Sequence, residues 1–108
     1  MAKRKTRKAN SRSYDSFLRE ELKDSEFAAE YLSSAIQDQY MEGFLVALKN
    51  VAEAHGGVGV LSRVAKLNRQ SMYKMFSEKG NPTFSSLIAI LGAIGLDLAF
   101  QPQEIKAA

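Results

Sequence analysis

The sequence predicts an all-α domain that closes with one short β-strand. Apolar residues recur three and four apart through most of the chain, as they do on the buried face of an α-helix. Turn-forming residues, among them Gly56–Gly59, Gly80-Asn81-Pro82 and Gly95, interrupt that rhythm at intervals suited to short helices. The tail changes period: Leu96, Leu98 and Phe100 alternate with Asp97, Ala99 and Gln101, the pattern of a strand over 96–101.

Taken in order, residues 1–13 form a basic arm with too little apolar surface to offset its ordering entropy, and are expected to be disordered. Residues 14–40 form an N-terminal helical extension. Its first part, 14–23, reads as a short helix or half-ordered lead-in with Phe17, Leu18 and Leu22 apolar. Asp24 or Ser25 then caps a helix whose stripe is Phe27, Ala28, Tyr31, Leu32, Ala35 and Ile36. Residues 41–95 form the core. A helix runs from about Met41 to His55 with Phe44, Leu45, Leu48, Val51 and Ala52 inward, and the glycines at 56–59 stop it. A short helix follows at about Val60 to Ala65, then a break at Lys66-Leu67-Asn68 and a further helix to Gly80-Asn81-Pro82. Thr83 caps the last helix, with Phe84, Leu87, Ile88 and Leu91 expected inward and an end at Gly95. That makes five helices besides the lead-in, then the strand and a tail at 103–108. A lone strand has unpaired edges, so it is expected to pair with its copy in a homodimer or with a partner's sheet.

At 108 residues, 45% hydrophobic and 25% charged, the chain has the makeup of one soluble globular domain. The absence of cysteine excludes disulfides, thiolate zinc sites and cysteine nucleophiles. The single histidine, His55, sits at a helix end, where a solvated or capping role is the ordinary one. There is no apolar run long enough to span a bilayer and no secretory segment, so a cytoplasmic protein without membrane contact is expected. The glycines at 56–59 lack the lysine and serine or threonine of a phosphate loop and lie between helices. Neither a catalytic constellation nor a metal-ligand cluster can be drawn, so no enzyme activity, cofactor or metal is expected.

Charge is segregated along the chain. Lys3, Arg4, Lys5, Arg7, Lys8 and Arg12 stand in the first twelve residues without an acid. Residues 15–55 carry nine acids against Arg19, Lys23 and Lys49. Residues 56–82 carry Arg63, Lys66, Arg69, Lys74 and Lys79 against Glu78 alone. Such segregation suggests one surface for an anionic partner and another for a cationic one, although for any single lysine a solvated surface is the ordinary reading.

The two short helices around Leu67 have the spacing of a helix-turn-helix, in which the second helix is free to enter the major groove. Leu61, Ala65 and Leu67 would anchor the first helix and the turn, and Ser62 is small enough for close approach. Met72, Met75 and Phe76 cluster on one side of the second helix at 100° per residue. Gln70, Lys74 and Ser77 fall opposite, flanked by Ser71 and Tyr73. Asn68 is a good N-cap, and Arg69 stands in the first turn. Glutamine can bond adenine bidentately, and lysine reaches guanine or phosphate. The candidate DNA-binding residues are therefore Asn68, Arg69, Gln70, Ser71, Tyr73, Lys74 and Ser77. On periodicity alone they are equally the solvent side of a core helix.

From about residue 14 to 102 the chain resembles the addiction-module antidote family of lambda-repressor-like, Xre-type helix-turn-helix proteins, HigA-like in character. The most specific stretch is "LNRQSMYKMFSEKGNP", supported by "EFAAEYLSSAI" and "LGAIGLDLAF". The turn commonly carries glycine where this chain has Lys66, so Lys66 either tolerates a left-handed conformation or the turn differs. Ser62 stands where alanine is usual, and the basic arm is longer than expected. The resemblance implies an antitoxin that binds operator DNA, represses its own operon and neutralises a RelE-like toxin. Such toxins are typically basic, which makes the acidic segment 15–55 the candidate surface for one. A standalone or prophage-type regulator without a toxin, or an interaction protein without DNA affinity, are the alternatives.

Overall fold

The computed structural model describes residues 14–38, 40–77 and 81–103, and among them every regular element is an α-helix. The helices are α1 (residues 14–21), α2 (Ser25–Gln37), α3 (Met41–Ala54), α4 (Val58–Ala65), α5 (Arg69–Met75) and α6 (Phe84–Ala93). The lead-in is thus a helix, and the described residues hold six helices where five and a lead-in were expected. The basic arm 1–13 and residues 104–108 of the tail lie outside the described residues.

Three helices begin on a side-chain cap. Asp24 accepts from the Glu26 amide at 3.4 Å, Asn68 Oδ1 from the Ser71 amide at 3.0 Å, and Thr83 Oγ1 from the Ser86 amide at 3.1 Å. Each satisfies a first-turn N–H that has no partner within its helix.

Three helices also end alike. The amide of Gly57 donates to the Ala52 carbonyl, that of Leu67 to Ser62, and that of Leu96 to Leu91, each at 2.8 Å. Such a bond closes only if the residue just before the donor turns left-handed. Those residues are Gly56 (φ 109°), Lys66 (φ 58°) and Gly95 (φ 83°). Two are glycines, for which positive φ carries no Cβ clash. At the end of α4 a lysine takes the same conformation, so the left-handed alternative raised for Lys66 is the observed one.

Packing follows from the short connections. The α2 and α3 helices lie side by side, and α4 packs against α3, α5 and α6, making it the centre of the molecule. The core is drawn from α2 to α6 and the turn after α1: Leu22, Leu32, Leu48, Val51, Leu61, Met72 and Ile90 are all buried, and Leu18 of α1 packs partly against them. All five residues expected to face inward from α3 are buried. The first helix is joined to the rest by Leu22, whose carbonyl oxygen lies 3.0 Å from His55 Nε2. A carbonyl oxygen only accepts, so in this bond the imidazole donates from Nε2. His55 is at once the C-cap of α3 and the tie to the chain just after α1.

Four expectations are corrected. The fourth helix starts at Val58, two residues early, because Gly57 serves as its N-cap and Val58 is buried beneath the helix start. Phe84 and Ile88 point outward, with Phe84 68% exposed, while Ile90, Leu91 and Ile94 take the inward side with Leu87 partly buried. Ile36, expected in the α2 stripe, is exposed. Finally, the strand expected at 96–101 is not formed: this stretch has no regular structure, and the described residues contain no strand for it to pair with. Alternation alone cannot make a strand, because its ladder bonds need a second backbone. No described helix is long and apolar enough to cross a membrane.

Candidate functional site

The α4 and α5 helices are joined by three residues, Lys66, Leu67 and Asn68. Lys66 reverses the chain through its left-handed backbone, and Asn68 restarts it by capping α5. Leu67 tucks partly into the core between them. Ser62 is buried on α4, and its hydroxyl donates to the Gly59 carbonyl at 2.8 Å, so the polar atom is satisfied within its own helix. Met72 and Met75 are buried and Phe76 partly so, as the spacing predicted.

These anchors fix what α5 turns outward. Asn68, Arg69, Gln70, Ser71, Tyr73, Lys74 and Ser77 are all exposed. They differ in what their polar atoms already do. Asn68 Oδ1 is occupied by the cap, and Ser77 Oγ donates to the Lys74 carbonyl at 2.6 Å. The Arg69 guanidinium carbon lies 5.8 Å from the centre of the Tyr73 ring. The same guanidinium stands 3.4 Å from the point a Cβ on Gly59 would occupy, so it lies against the start of α4. The side chains of Gln70 and Lys74, one helical turn apart, form no hydrogen bond or ion pair among the described residues. They are the two long polar groups of α5 aimed outward without a side-chain partner among the described residues.

The charged side chains of the segment 56–77 have one sign. Arg63, Lys66, Arg69 and Lys74 are exposed on α4, the turn and α5, and residues 56–77 carry no carboxylate side chain. A groove of about 400 Å³ runs between α5 and the start of α6. Ser71, Lys74, Asn81, Thr83 and Ser86 line it above Leu67, Met72 and Met75. Asn81, Thr83 and Ser86 were not anticipated as neighbours of the α5 face. Only the return of the chain into α6 brings them there, and periodicity within one helix carries no such signal. No group of three or more histidine, aspartate or glutamate side chains placed to hold a metal occurs among the described residues.

A model of the family described as probable addiction module antidote protein matches residues 12–102. An uncharacterized protein of Haemophilus influenzae is 34% identical over 89 residues, which cover 82% of this chain and 89% of that protein. No solved structure matches the chain. The family match takes in all six described helices, the α4–α5 turn and the exposed face of α5; the chain belongs to the addiction module antidote family.

Proposed function

We propose that the chain is the DNA-binding antitoxin of a type II toxin-antitoxin module, neutralising a RelE-like toxin and repressing its own operon as a lambda-repressor-like homodimer. An antidote implies a toxin partner in general. The single observation that carries the DNA-binding part is the outward face of α5, where Gln70 and Lys74 have no side-chain partner among the described residues, on a segment, 56–77, with four cations and no carboxylate of its own. Lysine and arginine around it supply phosphate affinity, and Gln70 supplies base discrimination from the first turn of the helix entering the major groove. Dimerisation is supported by apolar residues left uncovered on α6 and just after it: Phe84, Ile88, Leu98 and Phe100, the last 91% exposed.

The test is a titration of labelled duplex from the chain's own promoter against a scrambled duplex, at several salt concentrations. The promoter duplex is expected to bind more tightly, with log affinity falling linearly against log salt. Equal affinity for both duplexes, or no binding to either, overturns the DNA-reading role.

A further inference from the structure

The α2 and α3 helices leave a second surface that the DNA-reading face does not use. A shallow groove of about 290 Å³ runs between them, lined by Tyr31, Ala35 and Asp38 of the α2 side and Gly43, Val46 and Ala47 of α3. One end is held by the Asn50 amide, which donates to the Tyr31 hydroxyl at 2.9 Å. At the other end Tyr40 lies so close to Gly43 that a Cβ there would come within 3.3 Å of its ring. Val46 and Tyr40 are 62% and 61% exposed, although valine is a type most often buried.

The charge carried by the segment around the groove is mainly negative, opposite in sign to that of α4 and α5. Residues 24–48 hold Asp24, Glu26, Glu30, Asp38 and Glu42 and no lysine or arginine; Lys49 is the first cation after them. Glu30, one turn before Ser34, and Asp38, one turn after it, lie along the α2 edge. Glu42 stands one turn before Val46 on α3. Lys49 follows Val46 by one turn, so the rim is mainly rather than wholly negative. An apolar centre with a mainly acidic rim is the form of a surface that selects its partner by charge and holds it by burial.

We propose that this α2–α3 groove seats the toxin, a basic protein that inserts an apolar side chain between Tyr40 and Val46 while its lysines or arginines meet Glu30, Asp38 and Glu42. This inference rests on the antitoxin reading. It separates the two functions in space: cations on α4 and α5 for nucleic acid, anions on α2 and α3 for protein.

The test co-expresses the chain with the product of the reading frame adjacent to its gene and measures their Kd at low and high salt. Two variants are compared with the parent: Val46→Arg, and Asp38→Lys with Glu42→Lys. All three positions are exposed, so both variants are expected to keep the parent's thermal transition and promoter-DNA affinity. Val46→Arg is expected to weaken the protein complex at least tenfold. The double charge reversal is expected to weaken it and flatten its salt dependence. If the parent binds and both variants bind equally well, the groove is not the docking surface and the antitoxin reading stands. If the parent does not bind that product, or the adjacent frame encodes no basic protein, the toxin partnership and this inference both fall while DNA binding is judged separately.

Discussion

The amide of Leu67 donates to the carbonyl oxygen of Ser62 across 2.8 Å, and the loop it closes holds Lys66 at φ 58° and ψ 44°. Equivalent bonds at the ends of α3 and α6 enclose glycines. A left-handed backbone costs a residue with a Cβ about 1–2 kcal/mol, partly offset in any glycine variant by the greater freedom of the unfolded chain. Lys66→Gly is therefore expected to stabilise the fold by about 0.5–1 kcal/mol, raising Tm by a few degrees. Lys66→Val, β-branched at the same position, is expected to lower it. Thermal unfolding monitored by circular dichroism reads both.

Asn68 tests whether stability and DNA affinity can be separated. Asn68→Ala removes the cap on the Ser71 amide and is expected to cost about 1 kcal/mol. Asn68→Asp keeps the cap and adds negative charge at a helix start, so stability is expected to hold. In the proposed complex the same charge would face phosphate, so promoter affinity should fall, most visibly at low salt. Parallel denaturant and DNA titrations of the two variants provide the comparison.

Met72 is 1% exposed and fastens α5 to the core. Met72→Ala is expected to cost about 2–5 kcal/mol, and Met72→Leu, which nearly preserves volume, less than about 1.5 kcal/mol. Chemical denaturation gives both values. A loss below about 1 kcal/mol for the alanine variant would mean that α5 is not packed as described.

Homodimerisation is expected to depend on the apolar residues of α6 and the segment after it. Phe84→Asp and Phe100→Asp are each expected to shift the sedimentation-equilibrium mass from dimer toward monomer. Neither side chain is buried, so the helical circular-dichroism signal should persist. A monomeric parent would remove the dimer from the proposal.

Much of this architecture was legible in the residues themselves, where short-range chemistry decides. Asn68 and Thr83 cap the helices they were expected to cap, and the glycines after α3 and α6 stop them. The Met72–Met75 side of α5 was readable because polar residues fill the rest of that helix. The α6 helix was not, since FSSLIAILGA is apolar nearly all round and periodicity offers no side to choose. Burial there went to Ile90, Leu91 and Ile94, on a helix that packs against α4, and left Phe84 and Ile88 outside. Alternation in 96–101 likewise records where side chains point, and says nothing about whether a second strand is present. Of the candidate site, exposure of all seven residues followed from the anchors. That Arg69 lies against Gly59 and Tyr73 depended on the approach of α4, which the α5 sequence does not contain.

The outward face of α5 is tested most directly by Gln70→Ala combined with Lys74→Ala, measured as affinity for promoter duplex by fluorescence anisotropy. Loss of a bidentate base contact together with a phosphate contact is expected to weaken promoter binding by tenfold or more and to reduce the salt slope by about one. Discrimination against the scrambled duplex should narrow as well, with Tm unchanged because neither side chain is buried. Parent-like affinity and discrimination in the double variant would contradict the assignment of α5 as the helix that reads DNA.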